Sequence, residues 1–144
     1  MEDNENFTGV FPCYEGIFTV GDSDLSIADM ETFSISFDNG VEEWTPYSSE
    51  GWTRRLMTAK SVTISVSGKR NVGDGGNDLI ASKAFKNGRE AEEDFKIHLK
   101  DGTVITFADA VINVTALEYG DATNVAPLEF DVMSNGKPTV TPAT

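Results

Sequence analysis

Basic residues are missing from the start of this 144-residue chain: residues 1–53 hold 12 Asp and Glu and not one Lys or Arg. Cysteine and histidine are nearly absent as well. The only cysteine, Cys13, excludes an intrachain disulfide. With His98 as the only histidine, no zinc site of Cys and His ligands can be assembled. No apolar run is long enough to span a bilayer. The opening MEDNENFTGVF has neither a basic n-region nor an apolar h-region, so no secretory signal is expected. The sequons at Asn6 and Asn113 then read as chance.

What charge there is lies unevenly. Residues 54–100 carry a net +4 and residues 101–144 a net −5, within a total of −13. A basic middle between acidic ends suits either plain solubility or head-to-tail association. Binding to the outside of a duplex is disfavoured, because phosphates would meet mostly like charge. The length is that of one domain with one core.

Hydrophobic periodicity points to β-structure. In TFSISF (32–37), Phe33, Ile35 and Phe37 alternate with Thr32, Ser34 and Ser36. In SVTISVS (61–67), Val62, Ile64 and Val66 alternate with Ser61, Thr63, Ser65 and Ser67. Both read as half-buried antiparallel strands, expected to pair as one hairpin. Its outer face would be seven hydroxyl residues without a charge. Between them, DNGVEEWTPYSSEGWTRR (38–55) is broken by Asn39-Gly40, Pro46, Ser48-Ser49 and Gly51. It reads as a long loop carrying Trp44, Tyr47 and Trp52, with Arg54 and Arg55 at its root.

Residues 77–88 read as a helix capped by Asn77 and closed by Gly88. Residues 93–107 read as a second hairpin turning on Lys100-Asp101-Gly102. Its register sets Phe95 opposite Phe107, Ile97 opposite Ile105 and Leu99 opposite Thr103. Further strands are expected at 110–118 and 128–134, with a weaker one at 14–20. The fold class is mainly β: an antiparallel β-sandwich or barrel, one α-helix packed on it, and a long hairpin loop. Residues 1–27 form an N-terminal segment, 28–134 the β-domain and 135–144 a C-terminal tail.

Catalytic groupings are wanting. Cys13 and His98 would meet only by accident of folding. GKRNVGDGG (68–76) lacks the Gly-Lys-Ser/Thr ending of a P-loop. DSDLS (22–26) starts like a calcium loop but has Phe33 where the final Glu belongs. EAEEDF (90–95) reads as a solvated turn rather than a glycosidase pair. No catalytic residue, metal or cofactor is expected, and no enzyme.

Three stretches in order, RRLMTAKSVTISVSGKRNVGDGGND (54–78), DGTVITF (101–107) and TNVAPLEFDVMSNGKPTVTPA (123–143), resemble the tail tube proteins of long-tailed bacteriophages, those of Gram-positive hosts in particular. The resemblance extends over roughly 28–143. It implies hexameric rings stacked into a tube on a tape-measure protein, closed by terminator and distal tail or baseplate proteins, with DNA passing through the lumen. It implies a virion tail component assembled in the host cytoplasm, with no membrane partner. Thr32, Ser34, Ser36, Ser61, Thr63, Ser65 and Ser67 would then face the lumen. Trp44, Tyr47 and Trp52 would anchor the loop on the next ring, and Arg54 and Arg55 would meet a neighbour's acids; residues 1–27 lie outside the resemblance, with an inter-subunit arm as one role open to them. Two alternatives stand beside this: the tube of a contractile tail or tail-derived bacteriocin, and a monomeric β-sandwich whose loop aromatics stack on a sugar.

Overall fold

The computed structural model describes residues 7–142; Asn6, the first residue of its sequon, lies outside the described residues. Eight strands are found among them: β1 Ile17–Val20, β2 Leu25–Ser26, β3 Met30–Trp44, β4 Arg54–Lys69, β5 Glu92–His98, β6 Val104–Leu117, β7 Pro127–Met133 and β8 Thr139–Thr141. All pairings are antiparallel in one sheet, ordered β2-β1-β5-β6-β7-β4-β3, with β8 beside β6. The sheet is rolled. Phe33 of the edge strand β3 and Phe18 of β1, next to the other edge, stack on Phe95 of β5. The core inside the roll is built from Val20, Val62, Ile64, Val66, Phe95, Phe107, Ile112, Leu128, Phe130 and Val132. The mainly-β fold with one helix is the one read from the alternating strands.

The second hairpin follows its expected register, Phe95 against Phe107 and Ile97 against Ile105. The Leu99 N–H donates to Thr103 O at 2.8 Å and the Gly102 N–H to Leu99 O at 3.0 Å, with Gly102 at φ 96°. Glycine takes this left-handed conformation without a Cβ penalty.

Several boundaries move. The expected strand at 110–118 is the second half of β6, which starts at Val104. The chain passes through Asp109 at φ 53°, whose N–H donates to the Asp94 carboxylate at 2.9 Å. This is a bulge that carries the strand on instead of ending it. Half of the loop expected over 38–55 is strand: β3 and β4 pair from Met30↔Gly68 to Trp44↔Arg54, with a bulge at Gly40/Val41. Gly40 marks that bulge, not a turn. Only 45–53 connect the two strands.

The helix, α1, spans Gly75–Ala81 and not 77–88. Asp74 caps it by accepting the Asn77 N–H at 3.1 Å. Asn77 is itself buried: its Nδ2 donates to Ala28 O and Lys69 O, and its Oδ1 accepts from Arg70 and the Asn71 N–H. A buried polar side chain with all these partners locks the turn after β4 to the chain before β3. Past Ala81 the chain continues in turns and leaves Phe85 in water. At the limits of the expected 28–134 domain, β1 and β2 on one side and β8 on the other are strands of the same sheet.

Candidate functional site

The β3–β4 hairpin outruns the core and stands out as an arm. Inside the roll, Phe33 and Ile64 share the apolar face. Beyond Phe37 and Val62 the two strands leave the core, and residues 51–61 are all exposed. Val41, Leu56 and Met57 continue the arm with apolar side chains in water. At its end Trp44 closes β3, Tyr47 starts a 3-10 turn and Trp52 precedes β4. Tyr47 and Trp52 have relative exposures of 106% and 80%. The connection is held by its own bonds: the Ser49 N–H donates to Pro46 O at 3.2 Å, the Trp52 N–H donates to Ser49 O at 3.0 Å, and the one Ser49 hydroxyl proton is shared between Pro46 O at 2.9 Å and Trp52 O at 2.6 Å. It therefore presents its aromatics on a defined surface.

Arg54 and Arg55 are not at the arm's root. The ladder sets them opposite Trp44 and Glu43, at the tip. Arg55 Nε donates to Glu43 Oε2 at 3.0 Å, and the Arg54 guanidinium lies 5.8 Å from the centre of the Trp44 ring. The sequence reading missed this because a loop has no register, whereas a ladder brings 43 and 55 side by side.

Opposite the core runs the hydroxyl face. Register brings Thr32 beside Ser67, Ser34 beside Ser65, and Ser36 beside Thr63. Thr32 and Ser67 are hydrogen-bonded to each other through their hydroxyls. Ser61 stands opposite Asp38. The face does not stay neutral: β7 aligns Asp131 with Ser65 and Glu129 with Ser67. Ser65 Oγ donates to Asp131 Oδ1 at 2.9 Å. The alternation of Glu129 and Asp131 with Leu128, Phe130 and Val132 was the available signal for this. The surface over β3, β4 and β7 is thus hydroxyl-rich with acids at one margin.

Cys13 and His98 both line an apolar groove of about 180 Å³ with Ile17, Phe18 and Ile97. No hydrogen bond joins them among the described residues.

No family model and no curated protein matches the sequence. Solved structures do. The chain superposes on one from the virion of a native gene transfer agent particle with a TM-score of 0.72 at 19% identity, covering 92% of this chain and 99% of that one. A chain from the tail of an empty gene transfer agent particle with C6 symmetry gives 0.72 at 20% identity with the same coverage. A chain of the sheath–tube complex of the PVC extracellular contractile injection system, in its extended state, gives 0.61 at 19% identity over 93% of each chain. The fold is therefore the one found in these tail and tube assemblies, across nearly the whole of each chain.

Proposed function

We propose that the chain is a structural subunit of a tail tube, forming hexameric rings that stack through the arm and enclose a DNA-conducting lumen. The observation that carries this reading is the fold itself, arm included, and its likeness over almost the full length to a chain from a tail with C6 symmetry. The arm adds a physical reason: large aromatics held in an ordered tip need a partner to cover them. The hydroxyl face with its acidic margin suits a wall that stays wet and does not grip phosphate. The unpaired edges of β3 and β2 suit lateral pairing of subunits within a ring. A tape-measure protein inside, and terminator and baseplate proteins at the two ends, are the partners an open stack requires. The ordered stretches 54–78, 101–107 and 123–143 support the finer assignment to tails of phages of Gram-positive hosts, built in the host cytoplasm and carried in the virion. The role is structural rather than enzymatic.

A second reading, the tube of a contractile tail, is favoured by the likeness to the sheath–tube complex. Co-assembly with a sheath protein on the outside of the tube separates the two.

Negative-stain imaging of purified protein over a concentration series tests the proposal. Rings, and tubes at high concentration, are expected. A protein that stays monomeric at high concentration, alone and with its tape-measure partner, overturns it. The joint is tested by Trp44→Ala with Trp52→Ala. Both residues lie outside the core cluster, so the subunit's thermal unfolding should hardly move. Loss of buried interface aromatics, each worth about 2–4 kcal/mol, should stop tube growth.

A further inference from the structure

The sheet has two ends, and the strand register says which residues stand at each. Trp44↔Arg54 marks the arm tip. Met30↔Gly68, Gly68↔Leu128 and Leu117↔Leu128 mark the opposite end. Two connections emerge there, 70–74 leading to α1 and 118–126 between β6 and β7. Arg70 ties them together. Its backbone N–H donates to Ala126 O at 2.9 Å, and its guanidinium donates to Asn77 Oδ1 and Asp78 Oδ1 at 2.9 and 2.8 Å. Its Nε lies 3.3 Å from Glu118 Oε2, an ionic contact without hydrogen-bond alignment.

These pinned connections hold Val72, Tyr119 and Val125 in water, at 77%, 84% and 63% exposure. Glu118 and Tyr119 are consecutive left-handed residues, φ 57° and 64°, followed by Gly120 at φ 140°. Neither is a residue type that visits this region readily. The Glu118 N–H, donating to Pro127 O at 2.8 Å, helps to enforce the turn. The fold thus accepts backbone strain to keep a tyrosine pointing away from its own core, a feature typical of functional surfaces.

Both ends carry more acid than base, with Glu42, Glu43 and Glu50 against Arg54 and Arg55 at the tip, so any complementarity of charge is confined to single groups. The cations at the far end are already engaged, Lys69 with Glu31 and Arg70 with Asp78 and Glu118. Asp121, beside Tyr119, has no cationic partner among the described residues. At the tip, Arg54 stacks over Trp44 and has no carboxylate partner among the described residues.

We propose that the Val72–Tyr119–Val125 surface, with Asp121 beside it, is the receptacle for the Trp44–Trp52 arm tip of a second copy in the next ring. This rests on the arm being the inter-ring joint. One end of each subunit then offers aromatics and a guanidinium, and the other offers apolar side chains and a carboxylate. That is a heterologous contact, which repeats without closing.

The test pairs a far-end variant, Tyr119→Ala with Val125→Ser, with the tip variant Trp44→Ala with Trp52→Ala. Each should keep the unfolding temperature of the subunit and form rings, but raise the concentration needed for tube growth at least tenfold. An equimolar mixture of the two should give pairs of rings and nothing longer, because only one competent tip and one competent far end can meet. A tip variant that fails to grow beside a far-end variant that grows normally overturns the receptacle and leaves the arm intact. Normal growth of both overturns the arm reading too. Should the far-end variant unfold, Ser48→Cys with Ala122→Cys in a Cys13→Ser background decides. Cross-linked multimers after tube oxidation support the contact, and monomer alone rejects it.

Discussion

The Phe18 and Phe33 rings lie 4.4 Å apart, centroid to centroid, although β3 is one edge of the sheet order and β1 stands next to the other edge, β2. No strand hydrogen bonds close the roll at this seam among the described residues. The two rings, with Phe95 behind them, pack across it, beside the short link 27–29 that joins β2 to β3. Phe33→Ala should therefore open the seam as well as leave a cavity. The expected loss is about 3 kcal/mol, read as a lower urea midpoint. An unchanged midpoint would place the closing energy elsewhere.

Asn77→Ala should cost about as much without removing any apolar contact. The change strips donors from Ala28 O and Lys69 O, and an acceptor from the Asn71 N–H and Arg70. Buried groups left unpaired cost about 1–3 kcal/mol each, offset where water enters. Thermal unfolding measures the loss. Faster hydrogen exchange at the Asn71 N–H would locate it in the turn after β4.

These two positions show what was legible in the sequence. The strand faces were, since Phe33, Ile35, Val62 and Ile64 alternate wherever one side is buried. The Phe95–Phe107 register was legible because Gly102 fixes a short turn. The arm was not: beyond Gly40 both faces of the hairpin meet water in the single chain, so no two-residue period survives in VEEW or RRLM. The helix start was misplaced because Asn77 looks like a cap but works as a buried hub, while Asp74 does the capping. The strained turn at Glu118–Tyr119 has no local sequence signal, because ladder contacts on both sides impose it.

Acid should loosen the same hub. Asp78 is held below the ordinary 3.8 by the Arg70 hydrogen bond first, and then by the Gly73 N–H that reaches its carboxylate. A carboxyl with a depressed folded-state pKa stabilises fully above its unfolded value, and this stabilisation is lost as pH falls through the folded one. Asp101 is lowered in the same direction, by its Thr103 hydrogen bonds. The unfolding temperature should thus drop as pH falls below about 4. Asp78→Asn should unfold at lower temperature than the parent at pH 7, and the gap should shrink towards pH 3. A gap independent of pH would mean that the asparagine substitution acts through packing.

The hydroxyl face gives the most direct test of a lumen. Ser34, Ser36, Thr63 and Ser65 stand on the side away from the core, with Asp131 bonded to Ser65 and Asp38 opposite Ser61. A lysine at each of the four positions extends from a strand face that already meets water, so the subunit should fold and assemble. In a stack of sixfold rings the substitution would line the wall with ammonium groups facing passing phosphates. Each phosphate contact releases counterions, so retention should fall steeply with salt, with a log–log slope of about −0.7 to −0.9 per contact. The expected outcome is tails of normal length that hold DNA at low salt, let it go at high salt, and infect poorly. Labelling intact tubes with a bulky amine reagent supplies the control. The four lysines should react in isolated subunits and be protected in tubes; reaction on intact tubes would put this face on the outside.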